Sequence, residues 1–100
     1  MVEVRWTPEA AGDLEAITNF IAKDSPYYAR LFVIDVLGAV DRLLDFPRSG
    51  RVVPELRNPV IREIILGNYR LVYRLRKQAV EILTVYHGAK LLNSSKINRG

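Results

Sequence analysis

Two pairs of one kind, Thr7-Pro8 and Ser25-Pro26, constrain this chain more than any other feature. A Ser or Thr side chain satisfies orphan N–H groups at a helix start, and proline at the first helical position has a suitable φ and needs no N–H. Each pair therefore opens a helix. After the first, Ala10, Leu14, Ile17 and Ile21 recur at helical spacing with Phe20 beside them, which predicts a helix to about Lys23. After the second, Ala29, Phe32, Val33, Val36, Val40 and Leu43 or Leu44 make an apolar stripe. It ends before Pro47, which pushes Phe46 out of the helical region. The link between the two helices is so short that they form an antiparallel hairpin.

The remaining segments read as strands and loops. Val2–Trp6 alternates and is a short strand. The stretch PRSGRVVPELRNP, from Pro47 to Pro59, holds three prolines and a glycine and is mostly loop. Three strands are expected after it: Ile61–Leu66, Tyr69–Leu75 and Val80–His87. Gly67-Asn68 suits a tight turn between the first two, and Lys77-Gln78 or a slightly longer loop joins the last two. The order is β-αα-βββ, an α+β fold in which a helical hairpin packs on a small antiparallel sheet. A single domain is expected over residues 1–92, followed by a polar tail at 93–100 that frays.

Composition excludes several functions. The chain has no cysteine and one histidine, so disulfides and thiolate zinc sites are ruled out, and no metal or cofactor is expected. No apolar run approaches the roughly 20 residues of a membrane span, and MVEVRWTPEA is no signal peptide, so a cytoplasmic protein is expected. The net charge of +4 is unevenly spread. Residues 1–46 carry eight acids and four bases, whereas residues 47–100 carry three acids and eleven bases. Such a basic half favours polyanions or an acidic protein partner, and a plain solvated surface is the competing explanation.

The hairpin register sharpens this. An even loop centred on Lys77-Gln78 sets Arg74 opposite Glu81, Val72 opposite Leu83 and Arg70 opposite Val85. Arg70 and His87 then become diagonal neighbours on one face, roughly 7–8 Å apart at the backbone. A phosphate could bridge that gap. Arg70, Arg74 and Arg76 line the solvent side, while Tyr69, Leu71, Tyr73, Leu75, Val80, Ile82 and Tyr86 pack beneath the helices. A loop of odd length reverses the faces. Arg74 and Arg76 also read as solvated or paired, and a lone His at a strand end is more often incidental than catalytic.

Four segments, WTPEAAGDLEAITNFIA, FPRSGRVVPEL, IREIILGNYRLVYRL and VEILTVYHGAKLL, in this order and spacing, resemble the RelE/ParE superfamily of type II toxin–antitoxin toxins. The resemblance spans nearly the whole chain and implies the same β-αα-βββ fold. It implies a growth-inhibiting, plasmid-stabilising toxin neutralised by a cognate antitoxin, the pair touching promoter DNA through the antitoxin. An acidic antitoxin segment suits the basic half.

The superfamily divides on target. ParE-like members poison DNA gyrase, and the layout of this chain looks closer to them. RelE-like members are the alternative: they inhibit translation as ribosome-dependent, metal-independent endoribonucleases. A ribose 2′-hydroxyl there attacks the adjacent phosphate, which requires an acid, a base and cations. For a nuclease, the resemblance implies Arg70 as phosphate clamp, His87 as general acid and Glu55 as the residue near the base. Arg70, Arg74, Arg76, Tyr86 and Lys90 are the expected phosphate- or antitoxin-binding groove, Tyr86 only if it faces that groove. Two departures stand out. Ile61 and Glu63 occupy positions where other RelE-like members place lysines, and Lys90 replaces the arginine of the ParE-like HGAR ending, losing its bidentate fork. A toxin-like fold that no longer poisons is a third reading.

Overall fold

A computed structural model describes residues 2–88. It contains β1 (Glu3–Trp6), α1 (Pro8–Asp24), α2 (Pro26–Asp45), β2 (Arg51–Val52), β3 (Ile61–Leu66), β4 (Tyr69–Leu75) and β5 (Ala79–His87). Both expected caps form. Thr7 accepts from the Ala10 N–H at 3.1 Å, and its hydroxyl donates to Ile82 O at 2.8 Å, tying the start of α1 to β5. Ser25 serves both helices: its N–H closes α1 on Ile21 O, and its Oγ accepts from Tyr28 N–H to open α2. One residue thus makes the whole turn of the hairpin. Helix α2 buries Ala29, Phe32, Val36, Ala39, Val40 and Leu43, while α1 fully buries only Ala10. Among the described residues, no helix is long and apolar enough to cross a membrane.

The β-αα-βββ order holds, with two corrections. A two-residue strand, β2, lies within the segment expected to be loop and pairs with β3, Arg51 against Glu63. The sheet is also mixed, because β1 runs parallel to β5 at one edge of the order β1-β5-β4-β3-β2. Alternation identifies a strand but not its partner. Here the two backbone bonds Glu3 N–H to Gln78 O and Thr7 N–H to Ile82 O set the pairing.

The register of β4 on β5 begins as expected and then slips. Leu75 faces Val80, Arg74 faces Glu81 and Tyr73 faces Ile82, but Val72 faces Thr84, so Leu83 is an extra residue in β5. A β-bulge of this kind turns every later side chain to the other face. Arg70 therefore opposes Tyr86 rather than Val85, and His87 opposes Tyr69. Asp13 of α1 secures the bulge: its Oδ2 accepts from the Thr84 hydroxyl at 2.5 Å and from the Val85 N–H at 3.2 Å.

Both faces of the sheet are covered. The helices bury Leu71, Tyr73, Val80, Ile82 and Val85, while the loop before β3 lays Val53 over Ile61, Val72, Leu83 and Tyr86. Tyr73 holds this loop in place. Its hydroxyl donates to Pro47 O at 2.7 Å and accepts from Gly50 N–H at 2.9 Å. A Cβ at Gly50 would stand 2.6 Å from that hydroxyl and 2.7 Å from Glu63 O, so only glycine fits there. The FPRSG segment is thus a structural seat for a loop.

These bonds predict graded stability effects. Asp13→Ala strips the acceptor from Thr84 and Val85 and should cost about 1–3 kcal/mol in urea unfolding, with Asp13→Asn losing less. Tyr73→Phe should cost about 1–3 kcal/mol by the same measurement. Tyr86→Phe should cost nothing measurable, because the buried Tyr86 hydroxyl has no hydrogen-bond partner among the described residues.

Candidate functional site

On the loop-covered face, four charged residues from four segments converge. Glu63 of β3 and Arg70 of β4 are diagonal neighbours in the β3–β4 ladder, Arg51 stands opposite Glu63 on β2, and Glu55 hangs from the turn after Val53. Arg70 Nε donates to Glu63 Oε1 at 2.5 Å, and its two terminal nitrogens grip the two oxygens of Glu55 at 2.8 Å each. The other oxygen of Glu63 accepts from Arg51 Nε at 2.6 Å. Glu63 is only 1% exposed and Arg70 7%, so one buried ion pair is neutralised from the surface by the exposed Arg51 and Glu55.

The electrostatics follow from this packing. The Glu55 and Glu63 carboxylates together raise the Arg70 pKa against the opposing effect of burial, so its charge is permanent. The guanidinium carbon also lies 5.2 Å from the Tyr86 ring centroid, within cation–π range. Burial pushes the Tyr86 phenol up to about 12, although Arg70 pulls it the other way.

Arg70 was expected on a solvent-facing, diagonal pairing with His87. Instead it is buried, and the bulge turns His87 to the helix-side face. There the imidazole meets the edge of the Tyr69 ring, centroids 5.4 Å apart, and Tyr69 in turn packs on Phe32. Arg70 and His87 approach each other only at the end of the sheet. Both line the rim of a shallow cleft of about 350 Å³ with Arg51 and Asn68. A second, more apolar groove of about 430 Å³ lies on the helix side, between Ile17 and Phe20 of α1 and Tyr69 and His87.

The other expected residues fall as follows. Arg74 and Arg76 both approach Glu81, at 3.9 and 3.3 Å, as a partly exposed cluster. Tyr86 faces the Arg70 side and not the helices, again because of the bulge. Glu55 does join Arg70, though as its bidentate counter-ion. Lys90 and the tail at 93–100 lie outside the described residues. Arg51 was missed, since nothing in the sequence marks 51–52 as the strand that carries it to Glu63.

A helical hairpin on a mixed five-stranded sheet is the architecture this chain shares with solved proteins of type II toxin–antitoxin systems. Residues 4–92 match the family described as ParE toxin of type II toxin-antitoxin system, parDE, and the chain belongs to that family. It is 40% identical over 86 residues to the putative toxin Y4kP of Sinorhizobium fredii, covering 84% of this chain and 85% of that one. It is 32% identical over 92 residues to toxin RelE2 of Caulobacter vibrioides, covering 91% of this chain and 100% of that one. Among solved structures, a chain of the chromosomal ParDE system from P. aeruginosa superposes with a TM-score of 0.70 at 26% identity, covering 87% and 96%. A chain of the RelBE2 toxin–antitoxin complex from Mycobacterium tuberculosis gives 0.55 at 28%, covering 86% and 96%. The chain thus resembles relatives named for both branches.

The ion network carries its own prediction. Arg70→Ala strands the buried Glu63 carboxylate with one remaining, exposed partner, and should cost about 3–5 kcal/mol in urea unfolding. The double change Arg70→Met with Glu63→Leu should recover at least half of that loss, because it removes both buried charges together.

Proposed function

We propose that this toxin arrests growth by binding DNA gyrase and does not cut RNA. The observation that carries this reading is the state of Arg70. Phosphodiester cleavage by a 2′-hydroxyl builds negative charge on the phosphate, and a cation free to receive it supplies much of the catalysis. Nε and both terminal nitrogens of Arg70 already donate to Glu63 and Glu55. An incoming phosphate has to displace two carboxylates, one of them fully buried. The second observation is that His87 and Arg70 point to opposite faces of the β4–β5 pair. Endonuclease action remains the competing reading because Arg51, Arg70 and His87 share one cleft rim.

On this reading the partner that silences the toxin is a cognate antitoxin, acting in the cytoplasm, with promoter DNA reached through that antitoxin. The two structural relatives come from a ParDE system and a RelBE2 toxin–antitoxin complex, which supports such a pairing. The basic second half of the chain, including Arg74 and Arg76, offers an acidic antitoxin segment its counter-charge.

A gyrase supercoiling assay with the purified chain tests the target. Inhibition should persist within about twofold in His87→Ala and in the folded Arg70→Met, Glu63→Leu double variant, since neither group does chemistry. In parallel, a cell-free translation reaction on one defined mRNA should show no new 5′ ends. Ribosome-dependent cuts that fall on the order of a hundredfold in His87→Ala would establish the nuclease instead.

A further inference from the structure

Helix α2 has two apolar faces, and the fold uses one. Phe32, Val36, Ala39 and Leu43 pack inward. On the opposite side, Tyr27, Ile34 and Leu37 are 57%, 63% and 53% exposed. They belong to a longer series, Tyr27, Arg30, Ile34, Leu37, Asp41 and Leu44, whose spacings alternate three and four. That is the heptad seam by which two helices pack along their length.

The seam is also a charge-inverted palindrome. Read from its centre between Ile34 and Leu37, the spacing is the same in both directions, with Arg30 at one end and Asp41 at the other. Both charged side chains are exposed, and neither has an ion-pair or hydrogen-bond partner among the described residues. We infer that this face binds a second copy of the chain, α2 against α2, antiparallel about a two-fold axis between Ile34 and Leu37.

In that arrangement Ile34 meets the second copy's Leu37, and Arg30 meets its Asp41, twice over by symmetry. A parallel pairing sets Arg30 against Arg30 and Asp41 against Asp41, so like charges disfavour it. Tyr27 falls opposite the second copy's Leu44. Beside Leu44 lies a groove of about 540 Å³ between α2 and β1, lined by Val4, Trp6, Leu37 and Asp41. Gly38 borders the seam with open space where a Cβ would stand, which lets the two helices approach closely. The charge complementarity is what selects a second copy over any other apolar partner.

Sedimentation velocity of the full chain over a range of concentrations at low salt tests this, with fluorescence of Trp6, the only tryptophan, as a second readout. A reversible dimer that shifts Trp6 emission is expected, and a monomer throughout the range would overturn the proposal. Ile34→Glu should weaken the dimer at least tenfold while circular dichroism stays unchanged, since Ile34 makes no core contact; an unaffected dimer means another face is responsible. Arg30→Asp and Asp41→Arg should each weaken it by about tenfold, because two attractive contacts become repulsive. The two changes combined should restore wild-type association. A combined variant no tighter than the single ones sinks the antiparallel pairing.

Discussion

The position on which this structure leans is Glu63. A carboxylate removed from water loses several kcal/mol of solvation, and in practice it either protonates or finds cations. Glu63 finds two, one on each oxygen, and they come from strands on either side of it. Satisfying it recruits β2 through Arg51 and places the Arg70 guanidinium over the Tyr86 ring. Arg70, now buried, needs its own compensation, and Glu55 supplies it from the loop. The loop is thereby brought over the far face of the sheet, where Val53 completes the second core. Charge burial and apolar burial support each other there, because the same loop covers both.

The same network shapes what the site can do. Phosphodiester cleavage calls for a guanidinium free to receive the charge that builds on phosphate. In this chain Arg70 is held in internal ion pairs that also hold the loop down. Glu63 already stood out in the sequence as the wrong charge beside a phosphate clamp. The structure gives that carboxylate its physical content: it bridges Arg51 and Arg70 and makes the arginine part of the scaffold. Chemistry at Arg70 and stability at Arg70 are therefore opposed demands, and the geometry favours stability.

The bulge at Leu83 is the other decision of consequence. One extra residue turns Val85 toward the helices and Tyr86 toward Arg70, and it separates His87 from the arginine beside which the hairpin register had set it. Asp13 makes the irregularity affordable by accepting the hydrogen bonds of Thr84 and Val85. A helix residue thus determines which face a catalytic candidate occupies on a strand distant in sequence.

Local chemistry determined the helices, their caps, the hairpin between them, the three-strand meander and the Gly67-Asn68 turn. Each depends on residues a few positions apart, through capping bonds, proline geometry and periodicity, and all of these are written in the sequence. The Arg74–Glu81 pairing was legible for the same reason, being close to the turn that sets it. Tertiary structure alone decided the parallel partner of β1, the strand at Arg51–Val52, the slip at Leu83 and the burial of Arg70. Each of those rests on groups far apart in the chain: Thr7 with Ile82, Arg51 with Glu63, Asp13 with Thr84, Glu55 with Arg70. No local pattern encodes such bonds, because their energy exists only once the fold has brought both groups out of water together.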